Sequence, residues 1–364
     1  MATSAQASKL RGVRHPSRLA QNPRAAAIAN SGDDRSGQAA STTIARDIRV
    51  TQHPGLAHLH LEDLSPTIGT VVHGVDMAAT SDEEVHALYQ LLLTRKVIFF
   101  RDQHCAETEH IDFARRFGEL EIHPFNPMHP EYEEIIPIDS GPEYVGTTNT
   151  WHSDVMWRMD PSLGSILRAR AMPDGAGGDT LFCDMYAAYE GLPEPIRAQI
   201  DGLFAENGGA ANGSKETARK RLADGGADEA TLREFDEKYA NLGIPAHPVV
   251  RTHPDTGRQA LYVNRAFTRH IVGMERDESK KLLELLYRQA DFPEYQCRFK
   301  WQVGSVAFWD NRACQHYGVS DYFPHVRKME RVTIAGDRPY YQPNANEEKQ
   351  FTVATPDAQL DGPG

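Results

Sequence analysis

The sequence predicts a mainly β protein with flanking helices, built as an antiparallel β-sandwich or jelly roll. Short strand-like segments dominate the second half of the chain, and the regular alternation of strand and helix that marks a parallel sheet is scarce. A content of 40% apolar residues over 364 positions is enough to fill a core. Together these observations favour one globular, β-rich domain.

Both ends of the chain are predicted to lie outside that domain. Residues 1–46 are rich in Ala, Ser, Arg and Gly and contain no apolar h-region, so they do not form a secretory signal. Lys9 and four arginines, at 11, 14, 18 and 24, precede the first acid, Asp33, which fits an organelle transit peptide or, as we favour, a disordered, solvated tail. The predicted division is a tail over 1–46, a folded domain over 47–345 and a flexible tail over 346–364.

Three helices are predicted from capping and from apolar spacing. Ser81 and Glu84 form a capping-box pattern ahead of apolar residues at helical spacing, which predicts a helix that begins there. Similar spacing predicts helices at about 107–117 and 278–290. The run at 96–100, which is apolar after Lys96, is typical of a short buried strand.

Six further strands are predicted elsewhere in the chain. They lie at 165–170, 180–183, 249–252, 260–264, 305–309 and 331–335. The stretch 206–243 interrupts this series with glycines, charges and a modest helical pattern. A long polar insertion is typical of a disordered segment or a lid, and its position between the two parts that carry the chemistry favours a lid.

Charge and cysteine usage narrow the function. The net charge of -12 gives no electrostatic footprint for nucleic acid, and no stretch approaches the roughly 18 apolar residues needed to span a bilayer. The four cysteines are far apart and form no CxxC pair, so neither a zinc knuckle nor a disulfide framework is indicated. We expect a cytoplasmic protein that acts on a small molecule, with no nucleic-acid or membrane partner.

Three His-x-Asp triplets are candidate metal-ligand pairs, and their contexts separate them. The triplet at 110–112 falls on a predicted helix, where residues two apart point to nearly opposite sides. The triplet at 253–255 belongs to a Pro, Asp and Gly turn, where the carboxylate more often bonds local backbone. In the extended chain around His152 and Asp154, side chains two apart share a face and both can reach one ion.

His316 is the predicted third ligand. It follows the buried strand at 305–309 by a few residues, so a rigid element positions it. Two His and one carboxylate leave coordination positions of iron(II) open for a co-substrate and dioxygen. The same ligand set suits zinc, so these residues alone allow an oxygenase or a hydrolase.

Two arginines beyond His316 favour the oxygenase. Arg327 and Arg331 lie on a strand-like segment, and a period of two places them on one face. A fixed guanidinium binds a carboxylate in bidentate fashion, as the distal end of 2-oxoglutarate would require.

The sequence resembles the taurine dioxygenase-like (TauD/TfdA) group of iron(II)/2-oxoglutarate oxygenases. The segments that carry the resemblance are Trp-His-Ser-Asp at 151–154, Gly-Gly-Asp-Thr-Leu-Phe at 177–182 and Trp-Asp-Asn-Arg-Ala-Cys-Gln-His at 309–316, with Arg331 fifteen residues further on. They occur in consistent order within roughly 51–340, which is far more specific than any triplet.

This resemblance implies a double-stranded β-helix, a jelly-roll or cupin-like core, with the metal between its sheets. It implies that His152, Asp154 and His316 bind Fe(II), that Thr180 and Arg331 bind the far carboxylate of 2-oxoglutarate, and that Arg327 is a second basic residue near that pocket. Relatives that halogenate replace the carboxylate with a small residue, so Asp154 indicates hydroxylation with O2, releasing succinate and CO2.

Four further residues correspond to substrate-contacting positions of the family: His123, Asn126 and Thr148 stand at such positions, and Phe267 lies near a matching aromatic one. Asn126 and Thr148 differ from the taurine enzyme, which has Tyr and Asn there, so taurine is a poor fit. Close relatives act on aryloxyalkanoates and alkyl sulfates, and we expect a small anionic substrate of sulfonate, alkyl sulfate or aryloxyalkanoate type.

Several alternatives stay open at this point. A biosynthetic tailoring oxygenase that hydroxylates or desaturates another small molecule would use the same metal ligands. A metal-dependent hydrolase or isomerase on a cupin-like fold would not need Thr180 and Arg331, and a non-catalytic binding module would not need intact ligands. Relatives are often dimers or tetramers, so a homo-oligomer is expected by analogy.

Overall fold

The protein is described here from a computed structural model, which covers residues 53–125, 129–143, 149–208, 219–220, 222–224, 226–240 and 243–343. The tails expected over 1–46 and 346–364 lie outside the described residues.

Six α-helices are named here. They are α1 (Asp82–Arg95), α2 (Glu107–Arg115), α3 (Met185–Glu190), α4 (Glu194–Ile200), α5 (Glu229–Ala240) and α6 (Arg276–Tyr287). The predicted capping box begins α1: the Ser81 hydroxyl accepts from the Glu84 amide at 3.1 Å, and the Glu84 carboxylate accepts from the Ser81 amide at 2.7 Å. The three helices predicted from sequence are thus confirmed as α1, α2 and α6, each within a few residues of the expected bounds.

Fifteen strands form the rest of the described framework. They are β1 (His60–Asp63), β2 (Thr70–His73), β3 (Val97–Phe100), β4 (Ile135–Ser140), β5 (Gly164–Ala171), β6 (Thr180–Asp184), β7 (Phe204–Asn207), β8 (Ala246–Pro248), β9 (Val250–Thr252), β10 (Gln259–Leu261), β11 (Thr268–Ile271), β12 (Gln296–Phe299), β13 (Val306–Asp310), β14 (Cys314–Gly318) and β15 (Arg327–Ile334). The predicted strands correspond to β3, β5, β6, β9, β10, β13 and β15.

Two sheets face each other across one core. The larger has the order β1-β2-β3-β13-β5-β15-β4, in which only β2 and β3 pair in parallel, and the smaller has the order β12-β6-β14. Between them pack apolar side chains of both sheets, among them Phe99, Trp309 and Met329 from the larger and Phe182 and Phe299 from the smaller. This face-to-face packing confirms the predicted mainly β, jelly-roll architecture.

Helices cover the outer face of the larger sheet. Side chains of α1 and α2, such as Leu88, Leu92 and Phe113, pack there against Phe100 and Phe308 of β3 and β13. Side chains along β13 therefore alternate between the two faces of the sheet: Phe308 faces the helices, and its neighbours in sequence face the smaller sheet. Both faces of this sheet are buried, which explains why 306–309 is apolar throughout.

The insertion predicted at 206–243 contains one long helix, α5, within its described residues. Leu232 and Phe235 are the buried residues of α5, and most of the remaining helix surface is exposed. The small sheet β11-β7-β8 joins β7, where the insertion begins, to two strands that follow it in sequence, and the strands of the sheet β10-β9 both follow it.

Among the residues described, no helix combines the length and apolar character that a bilayer span requires.

Candidate metal centre

His152 and His316 are joined through their backbones. Each amide donates to the other residue's carbonyl, at 3.1 Å from His152 and 2.8 Å from His316, which forms an isolated antiparallel bridge. Their imidazole rings lie 4.1 Å apart between centroids. His316 sits within β14, opposite Phe182 of β6, rather than just beyond a strand as the sequence suggested.

Asp154 completes a cluster of three donor groups. Its Oδ1 lies 3.9 Å from Nε2 of His152 and 3.8 Å from Nε2 of His316. All three ligand atoms lie within 4.8 Å of one another. These separations are too long for hydrogen bonds, and they suit donors that surround one ion at about 2.0–2.2 Å. The residues therefore fit a metal ion, and the set of two imidazoles and one carboxylate suits iron(II).

The two imidazoles differ in how they are held. Nδ1 of His152 lies 2.7 Å from the Thr150 carbonyl, a contact that orients the ring and leaves Nε2 to face Asp154. His316 is buried, and its Nδ1 has no hydrogen-bond partner in the described part of the chain.

The charges at the cluster favour ligation. Burial alone would raise the pKa of Asp154, but the guanidinium of Arg331 and the two imidazoles hold it well below its usual range. Burial, with His152 alongside, lowers the pKa of His316 to about 3. A charged carboxylate and a neutral imidazole are the protonation states that a metal ion requires.

Asp154 is held from the larger sheet by two side chains. Nη1 of Arg331 on β15 lies 3.0 Å from Oδ1, and the Ser165 hydroxyl on β5 donates to Oδ2 at 3.2 Å. Nε of Arg331 is buried and has no acceptor among the described residues. The guanidinium thus borders the metal cluster directly.

Arg327 lies on the same face of β15, four residues before Arg331, as the period of two predicted. Its Nε donates to the Gly178 carbonyl at 3.2 Å, and its guanidinium lies 5.9 Å from the ring centre of Trp301. Nε1 of Trp301 in turn donates to the Thr180 hydroxyl at 2.9 Å. Trp301 therefore lies against both Thr180 and Arg327, whereas Arg331 contacts Asp154. Within the described ranges no carboxylate forms an ion pair with Arg327, although the residue is only 8% exposed.

Two of the four expected substrate residues can be placed near this cluster. The ring of Phe267 lies 6.4 Å from that of His152. His123 packs edge-on against Trp157 at 6.0 Å, and burial, with Arg331 and Arg158 nearby, lowers its pKa to about 3. Asn126 and Thr148 lie outside the described residues.

The other two His-x-Asp triplets do not join a metal cluster in the part of the chain described. His110 is buried in α2 while Asp112 is exposed, as the helical interpretation required. Asp255 differs from expectation: its carboxylate pairs with the Arg312 guanidinium at 2.8 Å and accepts from the Tyr89 hydroxyl, rather than bonding local backbone.

Sequence reasoning missed Trp301 and Ser165. Trp301 contacts Thr180, 121 positions away, and Ser165 contacts Asp154, 11 positions away. No local pattern marks either residue, because the fold of the chain brings them to the site.

The chain is similar to a group of known dioxygenases. Residues 60–333 match the family described as "Taurine catabolism dioxygenase TauD, TfdA family". The alpha-ketoglutarate-dependent sulfate ester dioxygenase of Pseudomonas putida is 34% identical over 79% of this chain and 92% of its own. The alpha-ketoglutarate-dependent 2,4-dichlorophenoxyacetate dioxygenase of Cupriavidus pinatubonensis is 31% identical over 75% of this chain and 96% of its own. The crystal structure of a taurine dioxygenase from Burkholderia xenovorans superposes with a TM-score of 0.65 at 35% identity, covering 78% of this chain and 91% of that one.

Proposed function

Because this chain belongs to the TauD/TfdA family, and is an iron(II)- and 2-oxoglutarate-dependent dioxygenase, we propose that it hydroxylates a small organic anion held between Arg331 and His123. The observation that carries this proposal is the convergence of three metal-ligand side chains and two buried arginines on one side of the larger sheet.

We assign the metal to His152, Asp154 and His316. When bound there, iron(II) with 2-oxoglutarate and dioxygen supplies the oxidising power of the reaction. The protein contributes the orientation of the ligands: the Thr150 carbonyl fixes the ring of His152, and Ser165 and Arg331 fix the carboxylate of Asp154.

For the far carboxylate of 2-oxoglutarate we favour Thr180 with Arg327. A buried guanidinium without a counterion is costly, and an incoming carboxylate would remove that cost. Thr180 lies in the same cluster through Trp301. The sequence had paired Thr180 with Arg331, but Arg331 already has a carboxylate partner in Asp154.

We then assign the substrate to a different part of the site from Thr180 and Arg327, next to the metal cluster. Arg331 retains one buried donor, Nε, and its charge, after burial, helps to lower the pKa of His123. An anionic head group there would accept from the guanidinium, while Phe267 and Trp157 offer aromatic surface to the organic part. Relatives named for sulfate esters and for 2,4-dichlorophenoxyacetate support an anionic substrate.

Hydroxylation is the outcome that we propose, because Asp154 keeps the carboxylate position filled. At a carbon that bears a sulfate ester or an ether oxygen, the hydroxylated product would collapse to a carbonyl compound and a leaving group. Desaturation by the same residues is the alternative within the oxygenases. The lid role of 206–243, the tails, cytoplasmic residence and a dimeric or tetrameric state stay predictions.

Anaerobic addition of iron(II) and 2-oxoglutarate tests the assignment. A weak visible absorbance band should appear with the parent chain and be absent in His152→Ala. Arg327→Met should weaken 2-oxoglutarate binding at least tenfold, because it removes a charge-assisted bidentate contact. Arg115→Met, which removes a half-exposed arginine of α2 paired with Glu134, is the matched control and should leave the affinity unchanged. Equal affinities in Arg327→Met and the parent would refute the role given to Arg327.

A further inference from the structure

Asn311, directly after β13, is bonded to the backbone of the candidate metal ligand Asp154. Its Oδ1 accepts from the Asp154 amide at 2.6 Å, and its Nδ2 donates to the Asp154 carbonyl at 2.9 Å and to the Ser162 carbonyl at 3.2 Å. Asn311 is fully buried. One side-chain amide therefore satisfies both backbone groups of a residue that is 157 positions away in sequence.

The backbone at this point needs such support. Val155, which follows Asp154, has a φ of +49°, a left-handed conformation that β-branched residues rarely adopt. The chain turns sharply away immediately after presenting the carboxylate, so local preferences alone would not keep Asp154 in place. A conformation of this kind persists only where surrounding contacts determine it.

The neighbouring residues of the same segment are tied to the same partner segment. His152 exchanges backbone hydrogen bonds with His316, and the Ser153 hydroxyl donates to the Cys314 carbonyl at 3.0 Å. With Asn311 on Asp154, each residue of 152–154 is bonded to a residue of 311–316. The two segments that carry the candidate metal ligands are thereby held as one unit.

Asn311 is itself rigidly placed. Its backbone N–H donates to the Leu163 carbonyl at 2.8 Å. The preceding Asp310 carboxylate is fully buried and pairs with both Nε and Nη2 of Arg312, at 2.8 Å each, and with Nε2 of His253 at 2.9 Å. Arg312 also forms an ion pair with Asp255, with Nη1 2.8 Å from Oδ2. This charged network fixes the end of β13, and Asn311 extends that rigidity to the Asp154 backbone.

We propose that Asn311 is a positioning residue for the metal: it does not touch the ion, but its amide holds the carboxylate of Asp154 at the separation from His152 and His316 that binding requires. The inference rests on the proposed metal site and adds to it a residue outside the ligand set. It predicts that loss of the Asn311 side-chain amide weakens metal binding by more than a comparable loss of stability elsewhere in the protein would.

Gln103 provides a matched control. Its amide makes the same pattern of bonds in the loop before α2: Oε1 accepts from the Met77 amide at 3.0 Å, and Nε2 donates to the Val75 and Arg101 carbonyls at 2.7 Å each. It is also buried. Met77 and Val75 pack into the core on the helix side of the larger sheet, away from the metal cluster.

The test is a titration of full-length protein with cobalt(II), followed by the visible absorption of the bound ion, together with metal-free melting temperatures. Asn311→Ala should bind cobalt(II) about 10–100-fold more weakly than the parent, the usual effect of removing a partner that orients a ligand. Gln103→Ala should lower the melting temperature and leave cobalt(II) affinity within about twofold. Asn311→Ser keeps a hydroxyl that can accept from the Asp154 amide without placing a charge against the Asp154 and Ser162 carbonyls, so it should show a smaller loss, and it decides the question if Asn311→Ala does not fold.

Cobalt(II) affinity within twofold of the parent in the folded Asn311 variants would overturn the inference. An equal loss of affinity in Gln103→Ala would do so as well, since the effect would then follow stability alone. If the parent chain and His152→Ala bound cobalt(II) equally, the proposed metal site itself would fail, which is a separate and recognisable result.

Discussion

The guanidinium of Arg331 contacts the carboxylate of Asp154, with Nη1 3.0 Å from Oδ1. Both side chains are buried, and the contact joins β15 of the larger sheet to the segment that carries two of the three candidate metal ligands. The guanidinium opposes the effect of burial on the pKa of Asp154 and helps keep the carboxylate charged. A residue that the sequence assigned to the co-substrate thus borders the metal cluster itself.

Replacing Arg331 should therefore affect the substrate more than 2-oxoglutarate. In Arg331→Gln we expect kcat/KM for a linear alkyl sulfate to fall about 10–100-fold, because a hydrogen bond to a charged group contributes about 1.5–3 kcal/mol. Succinate release at saturating iron(II) measures the loss. Binding of 2-oxoglutarate should stay within about threefold of the parent. If Arg331→Gln instead lost as much 2-oxoglutarate affinity as Arg327→Met, Arg331 would bind the far carboxylate, as the sequence predicted.

The sequence predicted the parts of the site that depend on local periodicity. Alternation along 327–334 placed Arg327 and Arg331 on one face, and the structure agrees. Extended backbone put His152 and Asp154 on one side, and their donor atoms do lie together. Period-two reasoning succeeds here because it needs only the geometry of a few consecutive residues.

Contacts between distant segments could not be predicted in the same way. Trp301 reaches Thr180 only because β12 pairs with β6, and nothing near either residue in sequence announces that pairing. The strand β14 was missed because its polar residues, which include His316, lack the apolar pattern of a strand. Its extended shape comes instead from pairing with β6.

Buried histidines should make the protein less stable in mild acid. Burial, with Arg168 nearby, lowers the pKa of His110 to about 3, against 6.5 for the unfolded chain. Above pH 6.5 neither state binds the proton, so the full stability is present; below it only the unfolded chain is protonated. Protonation of His110 in the unfolded chain should thus lower the free energy of unfolding by roughly 1 kcal/mol between pH 7.5 and 5.5.

Urea unfolding at the two pH values measures this effect, with His110→Gln as the comparison. The free energy of unfolding of the variant should fall by roughly 1 kcal/mol less than that of the parent over that interval, whatever its stability at pH 7.5. Equal losses in the two proteins would show that His110 is protonated as readily in the folded state as in the unfolded chain.

A buried ion pair joins the end of α1 to the start of α3. Nζ of Lys96 lies 3.1 Å from Oδ2 of Asp184, and both side chains are almost fully buried. Asp184 also caps α3 by accepting from the amides of Tyr186 and Ala187. In Lys96→Met the carboxylate would be left buried and unpaired, so we expect a loss of about 3–5 kcal/mol in the free energy of unfolding.

The double variant Lys96→Met with Asp184→Asn separates the lost pair from lost packing. Asparagine removes the unpaired charge and still caps a helix well, so the double variant should be more stable than Lys96→Met alone. Chemical denaturation of the parent, both single variants and the double variant gives the coupling energy. If the losses of unfolding free energy in the two single variants simply added in the double variant, the unpaired carboxylate would not be the cause of the loss in Lys96→Met.

A row of aromatic rings connects α5 to the region proposed for the substrate. Phe235 of α5 lies 5.5 Å from Phe125 between ring centres, Phe125 lies 5.5 Å from Trp157, and Trp157 lies 6.0 Å from His123. Since α5 buries little else, these contacts are what would hold a lid closed. Each aromatic pair contributes about 0.5–1.5 kcal/mol beyond the area that it buries.

Phe235→Ala should therefore free α5 without unfolding the domain. We expect faster amide hydrogen exchange over 229–240, a higher KM for an alkyl sulfate, and more succinate released per product formed, because an open site admits water. Phe292→Ala, which removes the ring paired with Tyr295 at 5.7 Å, is the control and should leave all three quantities near those of the parent. If exchange over 229–240 rises in Phe235→Ala while KM and the ratio of succinate to product stay constant, α5 moves independently of catalysis and is not a lid.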